Sequence, residues 1–402
     1  MHIFVVSQCF YPDNYHINQI VQDLVARGHQ ITVLTGKPDY TTGRVPAEYK
    51  GFKKYHDSLG KVEVWRVPIY ARRKGALNRF INYLSFMVNG SVLALLKKWE
   101  NFDVIYVWGA SPITMAIPAI WLKKRYHKPL FFYCLDLWPE SMKAFHVSEK
   151  NPIFQLVRLF CKWIYKQFDQ VAVTSKPFMQ YIETVNGVPA SKQVYLPQYG
   201  AESYLTRDFT AQQNGVIDLL FAGNIGFVQD IDKIIAAAAL LKDVPGWQIH
   251  IVGDGSAKAH FEQVSAQMGL TERVLFHGRV PLNQMERFYK LADACLLTLA
   301  GNTKIGDTLP VKMQGYMAAG KPVLAAINGA GKEVIEQSGC GLVVPAGDVD
   351  GLARIMRQFI TDPVFYASCG ARGREYFKQH FTKETHLTQL ETYFTQLRAV
   401  YP

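Results

Sequence analysis

Residues 1–36, MHIFVVSQCFYPDNYHINQIVQDLVARGHQITVLTG, decide the fold. Ile3–Ser7 is a near-continuous apolar strand of the kind buried on both faces in parallel sheets. The loop Gln8–Tyr15 follows, then a helix over about residues 17–27 with Gly28 as its stop, then a second strand over His29–Thr35. This strand–helix–strand unit places a loop at the carboxyl end of its first strand, where α/β folds hold ligands. Working outward, Val62–Val67, Val104–Trp108, Leu130–Cys134, Gln170–Thr174 and Val194–Pro197 continue the strand series. Helices are expected over residues 113–124 and 152–167, and Gly36–Phe52 is a long, turn-rich loop.

The polar stretch Tyr199–Gly215 breaks the pattern and marks a domain boundary. A second alternating series runs through Ile217–Ala222, Gln248–Val252, Val274–Phe276, Ala294–Leu297, Pro322–Ala325 and Leu342–Val344. Two consecutive series of similar size predict two Rossmann-like, doubly wound domains facing across a cleft. The expected domains are residues 1–198 and 199–381, with a helix over 382–400 crossing back to the first.

Composition fits a folded enzyme: 402 residues, 49% hydrophobic, 19% charged and 13% aromatic. The net charge of +11 is concentrated early, at Lys50, Lys53, Lys54, Arg72–Lys74, Lys97–Lys98 and Lys123–Lys128. Such charge suits phosphorylated ligands or an anionic membrane surface. No zinc spacing or RNA-binding signature accompanies it, so nucleic acid is not expected as a partner. Six scattered cysteines without CxxC spacing read as reduced core residues of a cytoplasmic protein. The start MHIFVVSQ is read as a strand rather than a signal peptide. The longest apolar segment, Phe80–Leu96, is broken by Asn82, Asn89 and Gly90, which favours a packed or membrane-lying helix over a spanning one.

The chemistry centres on residues 304–322, KIGDTLPVKMQGYMAAGKP. A polar loop over 304–308 meets Pro310, a helix follows to Gly320, and Pro322–Ala325 reads as a buried strand. A loop entering a helix N-terminus is an anion site, because free backbone N–H groups and the helix dipole point the same way. Lys312 in the first turn opposes that dipole, so its placement asks for an anion. A buried helix with a solvated lysine is the plainer alternative on local grounds.

The chain resembles family 4 glycosyltransferases of the two-domain GT-B fold, specifically the bacterial cell-surface polysaccharide branch that includes N-acetylfucosamine transferases. The stretches carrying the resemblance are QCFYPDNYHINQI, LVARGHQITVLTGKPDY, YCLDLWPES, LLFAGNIG, IHIVGDGS, LFHGRVP, LPVKMQGYMAAGKPV and GCGLVVPAGDVDGLA, in the family's order across essentially the whole chain. The resemblance implies a second domain that holds a nucleoside-diphosphate sugar and a first domain that holds the acceptor. It places Gly253 and Asp254 beside the nucleotide and Gly278, Arg279 and Val280 around the base, although turn formation explains both glycines equally well on local grounds. Of the family's two glutamates, the sugar-facing position falls on Asp307 and the ribose-facing one on Gly315, with Gln314 as a neighbouring substitute. The Arg and Lys that grip the diphosphate in many members are replaced by Asn224 and Gln229. The remaining donors are Lys312, Lys304, the amides of Gly223–Gly226, and the helix start spanning Thr308, Leu309, Pro310 and Met313. In the first domain, Pro12, Asn14 and His16 belong to a loop facing the diphosphate. Asp136 and Glu140 border the acceptor, with Asp136 a candidate proton acceptor or simply a turn acid.

No cluster has metal-ligand spacing. Asp348–Val349–Asp350 reads as a helix cap rather than a metal motif. The resulting expectation is a retaining, metal-independent hexosyltransferase without a cofactor, acting on a cell-surface glycan from the cytoplasmic face of the membrane. Its donor substrate would be a UDP-linked N-acetylated hexosamine or 6-deoxyhexosamine, and its acceptor lipid-linked or a growing glycan. A homo-oligomer or biosynthetic complex stays open. Two rivals stand beside it: a non-catalytic partner subunit that kept the fold, and a UDP-sugar 2-epimerase.

Overall fold

The computed structural model describes residues 1–39, 43–51, 53–73, 75–145, 147–211, 214–301 and 308–401. The chain divides into two compact units, Met1–Leu196 with Leu387–Pro402, and Pro197–His386.

The first unit is built from β1 (His2–Val6), α1 (His16–Ala26), β2 (Gln30–Gly36), β3 (His56–Leu59), β4 (Val62–Val67), α2 (Ala76–Leu96), β5 (Val104–Gly109), α3 (Ile117–Tyr126), β6 (Leu130–Cys134), α4 (Pro152–Tyr165), β7 (Gln170–Val173), α5 (Lys176–Asn186) and β8 (Gln193–Tyr195). Its eight-stranded sheet has the order β3-β4-β2-β1-β5-β6-β7-β8. All neighbours are parallel except β3, which pairs antiparallel with β4. The central strands are buried on both faces, as their unbroken apolar text requires. β3 was not expected from sequence. Its text, HDSL, is short and polar, which suits an edge strand whose charges discourage further pairing, and its His56 ring stacks on Trp65 at 4.0 Å.

Helix starts follow local chemistry. Asn151 Oδ1 accepts the Ile153 N–H at 2.9 Å, and Pro152 occupies the first turn of α4. The expected helix at residue 113 begins instead as a 3₁₀ turn, Ile113–Ala116, which continues into α3. Helix α2 packs a stripe of Asn82, Phe86, Gly90 and Ala94, four residues apart, into the unit. Gly90 serves a close crossing, since a Cβ there would lie 2.8 Å from Pro118. The other side of α2 exposes Leu77, Phe80, Ile81, Val88, Val92, Leu95 and Leu96. By length and composition alone, Leu77–Leu96 is apolar enough to cross a membrane, with a mean hydropathy of 1.3 over its best window.

The second unit contains β9 (Ile217–Ala222), α6 (Ile231–Ala239), β10 (Trp247–Val252), α7 (Lys258–Gln267), β11 (Val274–Gly278), α8 (Met285–Leu291), β12 (Ala294–Thr298), α9 (Val311–Ala318), β13 (Val323–Ala326), α10 (Gly329–Ser338), β14 (Gly341–Val344), α11 (Val349–Thr361) and α12 (Pro363–His380). Its six strands are all parallel in the order β11-β10-β9-β12-β13-β14, with an apolar core on each face. The reversal of order beside β9 is the switch point at which a doubly wound sheet opens a crevice. Asp348 Oδ1 accepts the Gly351 N–H at 2.8 Å, so the Asp348–Asp350 stretch caps α11 as expected. The last helix, α13 (Lys383–Val400), begins in the second unit, and from Leu387 onward it belongs to the first. There Phe394 packs against Tyr106 and Phe131, and Glu391 pairs with Arg27 and His29 at 2.5 and 2.6 Å.

Arg66 on β4 ties the first unit's ligand-side loop to its sheet edge. It is fully buried, pairs with Asp57 at 2.5 Å and donates to the Tyr11 carbonyl at 3.2 Å. Asp57 is partly exposed, so the loss is discounted from that of a fully buried pair. Arg66→Ala is expected to destabilise the protein by roughly 2–3 kcal/mol in urea unfolding. A cost below about 0.5 kcal/mol would mean the pair carries no net stability.

Candidate active site

At the carboxyl ends of β9, β10 and β11, three turns are joined backbone to backbone. Gly223 N–H donates to Val252 O, Gly253 N–H to Gly278 O, and Ile225 N–H to Asp254 O, each at 2.9 Å. A Cβ on Gly253 would lie 1.8 Å from the Gly223 carbonyl oxygen, and its φ is +150°. No side chain fits there, so the glycine serves this close approach and not merely a turn. The turns form the floor of a cavity of about 740 Å³, lined by residues that include Gly223, Asn224, Gly253, Asp254, Arg279 and Val280.

One wall is α9. Lys312 and Gly315, one turn apart, both line the cavity. The Lys312 ammonium is buried and has no hydrogen-bond partner among the described residues. It lies 3.9 Å above the Phe221 ring, which supplies a cation–π contact and no proton acceptor. A Cβ on Gly223 would come within 3.0 Å of this nitrogen, so the glycine leaves it room. Burial pushes the Lys312 pKa down from 10.5 to about 7. The arrangement is a cation held out of water with nothing to pair it, beside a helix N-terminus and a cavity.

Several expected donors have other partners. Of the amides of Gly223–Gly226, those of Gly223 and Ile225 are used in the floor, and that of Gly226 donates to Gln229 Oε1 at 3.0 Å. Asn224 Nδ2 also donates to Gln229, at 3.3 Å, so Gln229 shapes this loop. Gln314 is corrected most clearly. It is buried, its Nε2 donates to Gln198 O at 2.7 Å, and it is not among the cavity-lining residues. Position 314 lies off the helix face shared by Lys312 and Gly315. Thr308, Leu309 and Pro310 lead into α9 without lining the cavity, and Pro310 takes the N-cap position. Met313 N–H donates to Pro310 O, whereas the Val311 and Lys312 amides precede any intrahelical acceptor. Lys304 and Asp307 lie outside the described residues.

In the first unit, Pro12 and Asn14 are exposed on the loop after β1. His16 starts α1, and burial holds its pKa below 6.5. Asp136 is exposed after β6, where its Oδ2 accepts from Ser111 N and Oγ at 3.0 and 2.7 Å. Glu140 is occupied structurally, by Lys143 at 2.7 Å and the Tyr181 hydroxyl at 3.1 Å. A carboxylate that sequence reasoning missed is Asp39, after β2. It accepts from Arg72 N at 2.6 Å and Asn82 Nδ2 at 2.9 Å, and burial raises its pKa to about 6. Its signal was its place after an apolar strand, which a long loop obscured.

Tyr204, Met285 and Tyr289 also line the cavity and were missed. Met285 and Tyr289 are spaced i, i+4 on α8, a pattern indistinguishable from core packing in sequence. Among the described residues, no three His, Cys, Asp or Glu side chains gather as a metal site.

These features define an α/β enzyme with a crevice at the strand ends of its second unit. Residues 14–198 match the glycosyl transferase 4-like domain and residues 206–376 match the glycosyl transferases group 1 family. The chain belongs to the glycosyltransferases of GT-B fold made from these two domains. It is 26% identical over 398 residues to WcaI of Escherichia coli (strain K12), named for colanic acid biosynthesis, covering 93% of this chain and 94% of that one. It is also 26% identical to N-acetyl-alpha-D-glucosaminyl L-malate synthase of Bacillus anthracis, covering 94% and 93%. Among solved structures it resembles Anabaena HepE in complex with UDP, with TM-score 0.70, 14% identity and coverage of 98% and 100%. Sucrose-phosphate synthase of Thermosynechococcus elongatus shares the fold at TM-score 0.75 and 17% identity, over 99% of each chain.

A buried lysine that titrates near 7 makes anion binding depend on pH. In the free protein, stability gained by keeping Lys312 neutral is present above 10.5 and lost as pH falls through about 7. A bound diphosphate favours the charged form, so binding above about pH 7 takes up a proton. Calorimetry with UDP-GlcNAc, whose phosphates do not titrate here, should show affinity falling from about pH 7 to about pH 9, with proton uptake absent in Lys312→Ala. Equal affinity throughout, without uptake, would assign the anion to another group.

Proposed function

We propose that this glycosyltransferase moves a sugar from a UDP-sugar, an N-acetylated hexosamine or 6-deoxyhexosamine, onto a lipid-linked or glycan acceptor in cell-surface polysaccharide synthesis. The observation that carries the donor assignment is the buried, unpartnered Lys312 ammonium lining the cavity at the strand ends of the second unit. As the glycosidic bond breaks, the leaving diphosphate gains negative charge, and a preorganised cation in a dry site stabilises that charge. The ammonium and the first amides of α9 supply this without a metal ion. Anomeric configuration is retained, with the leaving phosphate itself assisting attack, so no protein nucleophile is assigned. Asp136 and Asp39 are the acceptor-side carboxylates available to receive the attacking hydroxyl's proton. The relatives named for polysaccharide work support the pathway class, and the HepE complex supports UDP as the nucleotide.

Lys312→Ala should lower kcat about 10²–10³-fold, and Lys312→Arg should restore only part of it, because a planar fork does not replace a compact ammonium. EDTA should leave wild-type transfer unchanged. The assay is release of UDP from UDP-GlcNAc, with and without a polyprenyl-linked sugar acceptor. A near-normal Lys312→Ala rate, or activity lost to EDTA and restored by Mn²⁺, would sink this reading. Epimerised UDP-sugar without acceptor would replace it with the epimerase.

We propose that the first unit binds a membrane surface peripherally. Besides the apolar outer side of α2, helix α4 exposes Ile153, Leu156, Leu159, Phe160 and Trp163. Neither helix contains an acidic residue, and exposed Arg158, Lys162 and Lys166 flank the α4 stripe. An apolar stripe bordered by cations fits the interface of an anionic bilayer. The basic clusters in the first third of the sequence contribute less. Lys123 pairs with Asp169 at 2.6 Å, Arg125 caps the α2 carboxyl end at Lys97 O, and Lys74 lies outside the described residues. Each free basic residue at such a surface contributes about 1 kcal/mol, weakened by salt. Sedimentation with phosphatidylglycerol vesicles should therefore fall with added NaCl, with Arg158→Glu/Lys162→Glu, and with Leu156→Ser/Phe160→Ser. Equal binding to neutral and anionic vesicles would remove the electrostatic part.

A further inference from the structure

Beside Lys312, the same face of α9 is bare. Gly315 carries no side chain, and a Cβ built on it would lie 3.3 Å from the Tyr289 hydroxyl oxygen and 3.9 Å from the Tyr204 ring. The phenol of Tyr289 thus lies against the α9 backbone at Gly315, a position one turn along the helix from Lys312, and Tyr289, Gly315 and Lys312 all line the cavity.

Tyr289 is held rigidly. Only 5% of it is exposed, and its ring packs against Tyr204 at 5.0 Å, Phe209 at 5.5 Å and Tyr316 at 6.3 Å. Its neighbour Tyr316 shows how a buried phenol is normally satisfied, by accepting the Ala222 N–H at 2.9 Å and donating to the Ala222 carbonyl at 3.2 Å. The Tyr289 hydroxyl makes no hydrogen bond with any described residue. With its ring packed and its hydroxyl unpaired among the described residues, Tyr289 has a polar tip available to the cavity that it lines. Tyr289 and Lys312 are therefore two polar groups that line one cavity without a hydrogen-bond partner among the described residues. Among the described residues lining the cavity, Asp254 supplies the sole carboxylate, and its Oδ1 already accepts the Gly255 N–H at 2.8 Å.

We infer that the Tyr289 hydroxyl is a specificity-determining contact to the ribose of the nucleotide, an inference that rests on the nucleoside-diphosphate reading of this cavity. In such a ligand the ring nearest the phosphates is the ribose, joined to them through a single methylene. With the diphosphate at Lys312, the next ligand group along α9 is that ring. A carboxylate can accept from both hydroxyls of a ribose diol, whereas a lone phenol engages one. Ribose recognition in this chain is accordingly neutral and depends on a single hydroxyl, and Gly315 leaves the opening through which the phenol reaches it.

Calorimetry on the full chain tests this with four probes: UDP, 2′-deoxy-UDP, 3′-deoxy-UDP and inorganic pyrophosphate. Tyr289→Phe removes one oxygen and keeps the packed ring. It should weaken UDP about 5–10-fold, leave pyrophosphate unchanged, and bind one of the two deoxy ligands as tightly as the wild type does. Gly315→Ala crowds the phenol while favouring the helix, so it should weaken UDP without lowering Tm. The inference is overturned if Tyr289→Phe binds UDP normally, or if it weakens UDP and pyrophosphate equally, which marks a structural role. It also falls if both deoxy ligands lose affinity equally on mutation. Wild-type protein that binds pyrophosphate but gains nothing from uridine overturns the ribose contact alone. Wild-type protein that binds neither overturns the donor-site reading with it.

Discussion

Contact between the Gly223 carbonyl and the α-carbon of Gly253 governs the second unit's site. Parallel strands end in step, and their loops would normally splay apart to accommodate side chains. Here a Cβ would stand 1.8 Å from a carbonyl oxygen, so only glycine lets the β9 and β10 turns close on one another. Closure pairs the amides of Gly223, Gly253 and Ile225 with neighbouring turns and so gives the cavity a rigid floor. It also removes those amides from the ligand's reach. The unpaired cation at this cavity is instead on α9, where Lys312 has its ammonium buried above Phe221.

The energetic character of the site follows from that burial. An ammonium out of water without an anion is unfavourable, and the protein lowers the cost by letting the group lose its proton near neutral pH. On the proposed function, a bound diphosphate would provide the missing partner and restore the charge. Preorganisation of this kind has a stability cost in the free protein, paid by the packed cores on the two faces of the sheet. The glycine at 315 and the glutamine turned toward Gln198 show the same economy: α9 presents one cation and one bare patch to the cavity, and nothing else.

The first unit combines two surfaces with different physics. Its strand-end loops are tied by buried polar contacts, through Arg66 at Tyr11 and through Asp39 at Arg72 and Asn82. Its helices α2 and α4 leave large apolar side chains in solvent, Leu77 at 71% and Leu156 at 69% exposure, which is uncommon for a surface with no partner. The packed stripe of α2 shows that this apolar text is not surplus core: one side fills the unit and the other remains outside.

Much of the architecture was legible in sequence because parallel strands buried on both faces must be written as unbroken apolar runs. The central strands β1, β5 and β6 of the first unit and β12 and β13 of the second carry that text, and the strands beside them carry shorter or alternating versions of it. The cap at Asp348 was legible because a helix end demands it, and Lys312 because its charge opposes the helix dipole, whereas Gly253 was placed by the family resemblance and its approach to Gly223 is visible only in the structure. Edge strand β3 escaped because an edge needs polar residues, which look like loop. Tyr204 and Tyr289 escaped because their role depends on position in space. Tyr204 precedes β9 and Tyr289 sits on α8, and only the winding of the sheet brings both against Gly315. Sequence alone thus determined which residues must be buried in strands and where helices begin and end. Tertiary structure decided which polar groups were left unsatisfied, because hydrogen-bond partners come from segments distant along the chain.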